Sequence, residues 1–265
     1  MAYIPVTARG SIVKTVGTAA VLAAIGAAVV MLVDLDMEKF FRRLDNAPDV
    51  LGRMVAVDLS IVPSALLSML TSVSLALLAL VAAVVIALFL SFLAASNIAP
   101  NRFAAIGIKG FFAVIRTVPS LVWGLMVIAS LGFGNTSGFI TILISAVGYL
   151  VKTFSGSIEE AGGEIIEAMR ATGASWLNII FHGLLPLCIT AFVSWITICF
   201  ESNVSESISL GIIGVGGIGL LLTQAISTYN YPQVTTIVII ICLLMFAIEL
   251  GMTKMKNAVK YGSNE

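Results

Sequence analysis

Ser64–Leu93 reads SALLSMLTSVSLALLALVAAVVIALFLSFL, without a charge, a glycine, a proline, an asparagine or an aspartate. One bilayer crossing by an α-helix needs about 20 mainly apolar residues. Two crossings would need a polar turn between them, and this stretch offers none. Pro63, directly before it, is tolerated in the first turn of a helix. The stretch therefore predicts one long membrane-spanning helix, followed by a turn at Asn97, Pro100 and Asn101.

The composition of the chain indicates the same class of protein. Its 265 residues are 59% hydrophobic and only 11% charged, whereas about a quarter of the residues in a soluble domain are charged. The charges are clustered, which leaves further uncharged runs at Thr15–Val33, Thr117–Val151 and Ser207–Ile248. We therefore predict an all-α integral membrane protein. Six transmembrane helices are expected, at about 15–33, 65–93, 104–131, 138–155, 187–208 and 233–253.

Basic residues orient these crossings, because cytoplasmic loops carry an excess of Lys and Arg. With six crossings, the basic residues at 9–14, 102–109, 170 and 254–260 all fall on one side, which is predicted to be cytoplasmic. The loop 34–60 would face outward although it holds basic residues; its acidic residues only partly remove this conflict. Within the loop, MEKFFRRL at 37–44 predicts a short amphipathic helix in the membrane interface.

Residues 156–186 interrupt the apolar pattern with charged residues. The run 164–172 is rich in good helix formers, and Gly173 is the residue type that most often ends a helix in a left-handed conformation. Ser175 is a preferred N-cap for a second helix that continues toward Pro186. The segment therefore predicts a helix–Gly–helix element. On the pattern alone, an ordinary amphipathic loop between two crossings is the simpler explanation.

Two pairs of side chains on the first of these helices have the spacing for contact. Ile165 and Met169 are four residues apart and form an apolar stripe. Glu167 and Arg170 are three apart and can pair on one face. A charged helical segment on an aqueous face of a membrane protein offers a surface to a soluble partner.

This segment resembles the EAA loop of ABC-importer permeases, whose pattern is E-A-A, a glycine six residues after the glutamate, and a later I-x-L-P. Met169 replaces the second alanine, and Gly183 stands where the isoleucine usually falls. The positions that match the pattern are Glu167, Ala168, Gly173, Leu185 and Pro186. In that family the loop inserts into a groove of the cytoplasmic ATPase. The resemblance implies that the residues coupled to the ATPase are Glu167, Ala168, Arg170, Ala171, Gly173 and Pro186.

Three further segments look like permeases of phosphonate importers: RTVPSLVWG at 116–124, FESNV at 200–204 and GVGGIG at 214–219. The glycine segment and the EAA loop alone would not separate these from methionine-importer permeases. The FESNV stretch favours the phosphonate group, although Ser205 stands where its members often carry arginine. The resemblance extends from about residue 64 onward.

The resemblance implies a permease subunit of a bacterial phosphonate-type ABC importer in the inner membrane. It would translocate phosphonate or a related small phosphorus oxyanion by alternating access. The implied partners are a cytoplasmic ABC ATPase dimer, an extracytoplasmic substrate-binding protein, a second permease copy in a homodimer, and the lipid bilayer, with no nucleic acid. The implied divisions are an N-terminal helix and outward-facing loop (1–60), a permease core with its coupling loop at 156–186 (61–255), and a cytoplasmic tail (256–265).

The sequence gives no sign of a catalytic site, a metal site or a cofactor. It has no G-x-x-x-x-G-K-[ST] motif, so ATP hydrolysis is expected on a separate subunit. His182 is the only histidine, and Cys188, Cys199 and Cys242 lack metal or disulfide spacing. No nucleophile–base pair is recognisable, so the chain is not expected to be an enzyme. The alternatives are a permease for methionine or another small solute, or an ATP-independent carrier or channel.

A second group of residues is a candidate for the translocation path or gate. Arg116 precedes Pro119, an expected break in the third crossing, where a guanidinium and freed N–H groups could bind an anion. A salt bridge to Glu201 explains Arg116 equally well. GVGGIG lacks the strand and the acid of a dinucleotide site, so we expect a close-packed or re-entrant turn near the outer mouth, with gating as an alternative role. The candidates are Arg116, Pro119, Glu201, Asn203, Gly214, Gly216, Gly217 and Gly219.

Overall fold

The computed structural model describes the backbone of residues 9–33 and 36–261, and the side chains of 14–33 and 36–258. The described ranges are helical apart from short turns, which confirms the predicted all-α class. The chain forms two compact units, which meet in sequence between Arg53 and Met54.

The first unit contains α1 (Arg9–Leu32), α2 (Met37–Leu44) and all but the last residue of α3 (Ala47–Met54). Lys14–Leu32 in α1 is long and apolar enough to span a membrane. The predicted helix at 37–44 is confirmed by α2, which begins where the carboxylate of Asp36 accepts a hydrogen bond from the Lys39 amide at 2.9 Å. Its position at a membrane interface remains a prediction.

The second unit is built around helix α4 (Val62–Ala94), which follows a 3₁₀ turn at Leu59–Ile61 and carries Pro63 in its first turn. The prediction of one long helix is confirmed. Small residues let neighbouring helices approach α4 closely, as is usual in membrane bundles. The helices α7 (Asn135–Ala161) and α10 (Leu185–Ile212) pack against it. The buried alanines of α4 in this packing include Ala76, Ala79, Ala83 and Ala87.

The third predicted crossing, 104–131, is not one continuous helix. It consists of α5 (Arg102–Thr117) and α6 (Ser120–Leu131), which meet at an angle of 89°. The cause is Pro119, which has no N–H to donate and forces the preceding Val118 into an extended conformation. Five described helices are long and apolar enough to span a membrane, or six if this bent pair counts as one crossing.

Several helices extend beyond the predicted crossings, because apolarity marks the membrane-buried part of a helix and not its ends. Helix α7 continues to Ala161, so the charged loop begins at Gly162 rather than at 156. The last helix, α12 (Tyr231–Tyr261), extends into the predicted tail, and α11 (Gly217–Ser227) was not predicted. The elements between α7 and α10 are α8 (Gly163–Ala171), α9 (Trp176–Asn178) and a π-helical segment (Ile179–Leu184).

Candidate functional site

Helix α8 ends in a left-handed glycine, as the sequence predicted. Gly173 has φ +78°, a conformation that residues with a β-carbon rarely adopt. Its N–H donates to the Arg170 carbonyl at 3.0 Å, and the Ala174 N–H donates to the Met169 carbonyl at 3.0 Å. These two bonds form a Schellman motif, which satisfies carbonyl groups that the helix end leaves free.

The chain then turns directly into a second helix. The Ser175 hydroxyl oxygen accepts a hydrogen bond from the Asn178 N–H at 3.4 Å, which confirms the predicted N-cap. The π-helical segment connects α9 to α10, and Pro186 lies in the first turn of α10. The predicted helix–Gly–helix geometry is therefore present, and we call residues 163–178 the α8–α9 element.

One side of the α8–α9 element is open to solvent and the other is packed on the bundle. Ile166 is buried. The candidate coupling residues are all exposed, namely Glu167, Ala168, Arg170, Ala171, Gly173 and Pro186. Such a surface, with an acidic and a basic side chain around two alanines, is available to a partner that packs closely against the helix.

The apolar stripe of α8 rests on Gly183 in the π-helical segment. A β-carbon built on Gly183 would lie 2.6 Å from the Met169 sulfur and 3.1 Å from Ile165 Cγ2. Met169 and Gly183 are the two departures from the EAA pattern, and the structure places them in contact. The larger side chain at one position therefore occupies the space left by the missing side chain at the other.

Arg170 does not make the predicted ion pair with Glu167 in the described chain. Its Nη2 donates instead to the Asn97 carbonyl at 3.3 Å, and Trp176 Nε1 donates to the Ile98 carbonyl at 2.9 Å. Both carbonyls belong to the turn between α4 and α5. Sequence reasoning missed these contacts, because nothing local links positions more than seventy residues apart.

The candidate path residues other than the glycines line two adjoining cavities. Arg116, Pro119 and Asn203 line one cavity of about 280 Å³, together with the side chain of Glu206. An adjoining cavity of about 530 Å³ also contains Glu206 and is lined by Glu201. The serines that line one or both cavities are Ser120, Ser145, Ser202, Ser205 and Ser209. Polar groups on membrane helices thus converge beside the break at Pro119.

The alternative explanation of Arg116 was a salt bridge to Glu201. Among the described residues no ion pair joins these two side chains. The guanidinium lies 5.7 Å from the ring centroid of Tyr149, over its face. Glu206 accepts a hydrogen bond from the Ser145 hydroxyl at 3.0 Å. Sequence reasoning missed Glu206, although an ionisable residue within a membrane helix is a signal of function.

The glycines of GVGGIG line neither cavity. Gly214 and Gly216 lie in the turn between α10 and α11, whereas Gly217 and Gly219 lie in the first turn of α11. Gly214, Gly216 and Gly217 all have positive φ, and Gly219 packs against the Ile208 carbonyl. The predicted close packing is present, while the position of this turn near the outer mouth and a gating role remain predictions. Asn203 is buried and donates to the Ala76 carbonyl at 3.5 Å, so it also joins α10 to α4.

Comparison with known sequences identifies a family. Residues 87–255 match the model of the binding-protein-dependent transport system inner membrane component. A phosphate-import permease protein, PhnE, of Mycolicibacterium smegmatis is 34% identical over 157 residues, which cover 59% of this chain and 30% of that protein. A phosphite transport system permease protein, PtxC, of Stutzerimonas stutzeri is 26% identical over 215 residues, 81% of this chain and 78% of the relative.

Comparison with solved structures shows the fold. A chain of the MetNI methionine ABC transporter in an inward-facing conformation superposes with a TM-score of 0.70 at 20% identity. The match covers 77% of this chain and 99% of the other. An amino acid ABC transporter crystallised with histidines gives a TM-score of 0.63 at 21% identity. At these identities the likeness concerns the fold alone.

Proposed function

Because the chain belongs to the family of binding-protein-dependent transport system inner membrane components, we propose that it translocates phosphonate or a related small phosphorus oxyanion as the permease subunit of an ATP-driven importer. Members of this family are inner-membrane transport components and not enzymes. ATP hydrolysis is accordingly assigned to a separate cytoplasmic subunit, and the proposed mechanism is alternating access.

The observation that carries the proposal is the exposed α8–α9 element between two long membrane helices. Its fixed turn at Gly173 gives a partner a surface of defined shape, and its other side is packed on the π-helical segment that leads into α10. A cytoplasmic ATPase that binds this surface could move the membrane helices when it closes. We propose that each of two ATPase subunits binds one such element.

The choice of cargo rests on the relatives and on the cavity beside Pro119. Relatives between 26% and 34% identical are named for phosphate and phosphite transport. Arg116 supplies a guanidinium, which binds oxyanions well. Methionine is the weaker candidate, because the likeness to the methionine transporter is one of fold.

The remaining partners follow from the same proposal. The cavity lined by Glu201 and Glu206 opens at the surface of the single chain, and a closed path needs a second wall. A second copy of this chain in a homodimer would supply that wall. A substrate-binding protein would deliver the cargo from the extracytoplasmic side.

The test is co-purification of the chain with its ATPase from bacterial membranes. Glu167→Lys should lose the ATPase while the chain stays in the membrane, because the exposed carboxylate lies on α8. Glu160→Lys makes the same charge change at an exposed position in α7 and should retain the ATPase. Failure of the wild-type chain to retain any ATPase, or equal retention by both variants, would contradict the proposal.

A further inference from the structure

The turn at 95–101, which we call the α4–α5 turn, is bonded to the α8–α9 element on one side and to α7 on the other. Trp176 and Arg170 donate to its carbonyls at Ile98 and Asn97, as described above. On the other side, Glu159 near the end of α7 accepts hydrogen bonds from the Ser96 N–H and from its hydroxyl, the latter at 2.6 Å. The turn is thus held by two elements that are distant from it in sequence.

The α4–α5 turn leads directly into α5. The Asn101 side chain caps this helix by accepting from the Phe103 N–H at 2.8 Å. Two turns further on, Lys109 forms an ion pair with Glu159. At the far end of α5, Gly148 of α7 leaves room for Arg116, because a β-carbon there would lie 3.2 Å from Arg116 Cγ. The α4–α5 turn and α5 together therefore extend from the contacts of the α8–α9 element to the cavity beside Pro119.

These contacts give the α8–α9 element a connection to a helix that is not adjacent to it in the chain. Movement of the element reaches α7 and α10 through the covalent backbone. Movement can reach α5 through its packing against α7, and the bonds of Trp176 and Arg170 to the turn supply a second route that does not pass through α7. The bent junction of α5 and α6 at Pro119 is a place where a displaced α5 can change its angle.

We propose that the α4–α5 turn transmits movement of the α8–α9 element to α5 and so to the cavity that contains Arg116 and Glu206. Trp176 is the positioning residue, and Lys109 with Glu159 keeps α5 in register with the turn. This inference rests on the proposed function of the α8–α9 element as the ATPase-binding surface. It adds a specific route between that surface and the proposed path.

Trp176→Phe removes the indole N–H and retains most of the ring, so it isolates the hydrogen bond to Ile98. The Ile98 carbonyl belongs to a residue that is only 1% exposed, so little water can replace the lost donor. The matched control is Trp195→Phe. Trp195 Nε1 donates to the Ser157 hydroxyl at 3.0 Å, which joins α10 to α7 and does not involve the turn.

The measurement is the uptake of phosphite per ATP hydrolysed by the complete complex, with its ATPase and binding protein, in proteoliposomes. Trp176→Phe should lower this ratio about fivefold, the factor expected for loss of one hydrogen bond, while Trp195→Phe leaves it unchanged. A merely structural role would reduce uptake and hydrolysis together. A ratio equal to that of the wild type would therefore overturn the inference and leave the proposed function intact.

Lys109→Gln keeps the test decisive if the tryptophan variant fails to assemble. It breaks the ion pair with Glu159 and should also lower phosphite uptake per ATP. Lys152→Gln is its control, because Lys152 lines the same cavity as Lys109 but forms no ion pair within the described chain. Equal phosphite uptake per ATP hydrolysed in the Lys109→Gln and Lys152→Gln variants would overturn the inference. A wild-type chain that binds no ATPase would overturn the proposed function and the inference with it.

Discussion

Changing Gly183 to isoleucine tests how α8 packs on the π-helical segment that precedes α10. The added side chain would meet Met169 and Ile165, since even its β-carbon would lie 2.6 Å from the Met169 sulfur. Overpacking of such a site costs about 1–3 kcal/mol, and removing a glycine from a helix returns about 0.5–1 kcal/mol. The net expected loss of stability is about 1 kcal/mol, within a range of about 0–2.5 kcal/mol, and each kcal/mol lowers the unfolding midpoint by about 2–4 °C.

The second half of the test replaces both residues and combines Met169→Ala with Gly183→Ile. Met169→Ala alone should lower the free energy of unfolding by up to about 2 kcal/mol. This is the lower end of the range for replacing a core methionine by alanine, because Met169 is only half-buried. In the double variant the isoleucine fills the space vacated by the methionine. The double variant should then be more stable than the sum of the single losses predicts, by at least about 1 kcal/mol.

The assay is thermal unfolding of the purified chain in detergent, with a double-mutant cycle over the two positions. Gly110→Ile is the control for added bulk, because a β-carbon on Gly110 would meet no other atom within 4 Å. It should leave the unfolding midpoint unchanged or raise it slightly, because it too removes a glycine from a helix. Additive losses in the double variant would refute the reasoning that Met169 and Gly183 compensate each other.

Three further predictions concern other positions. Gly173→Val should leave the chain in the membrane yet release the ATPase, because φ +78° excludes a β-branched residue; Gly173→Asn tolerates this conformation and should retain the ATPase in the same pull-down. Arg116→Ala should reduce phosphite uptake at least tenfold with normal assembly, and unchanged uptake would rule out an anion role. Bonds donated by Ser60 and Gln233 hold the pKa of Asp58 below its usual value. The stability difference between the wild type and Asp58→Asn should therefore be full above the ordinary carboxyl pKa of about 4 and be lost as the pH falls from there through the lowered pKa of Asp58; a difference independent of pH would contradict this.

The local parts of the fold could be predicted because their causes are local. Pro63 and the uncharged stretch after it are sufficient for one long helix, and Gly173 with Ser175 is sufficient for a capped turn. The break at Pro119 was expected for the same reason. Its angle of 89° was not, because that depends on what α5 and α6 pack against.

The contacts between distant segments could not be predicted from one sequence. Trp176 has no local signal that points to Ile98, and Glu159 was seen only as part of a charged run. Glu206 is different, since its charge within a membrane helix was a signal that could have been used. The contact between Met169 and Gly183 could also have been predicted. Both residues depart from the EAA pattern, and one side chain is larger than the pattern's residue while the other is smaller.

The most direct test of the central claim is uptake of labelled phosphite by proteoliposomes that contain the chain, its ATPase and its binding protein. Uptake should require ATP and both partners, and Glu167→Lys should abolish it while Glu160→Lys does not. Uptake that proceeds without the ATPase, or ATP-driven uptake of methionine with none of phosphite, would contradict the account.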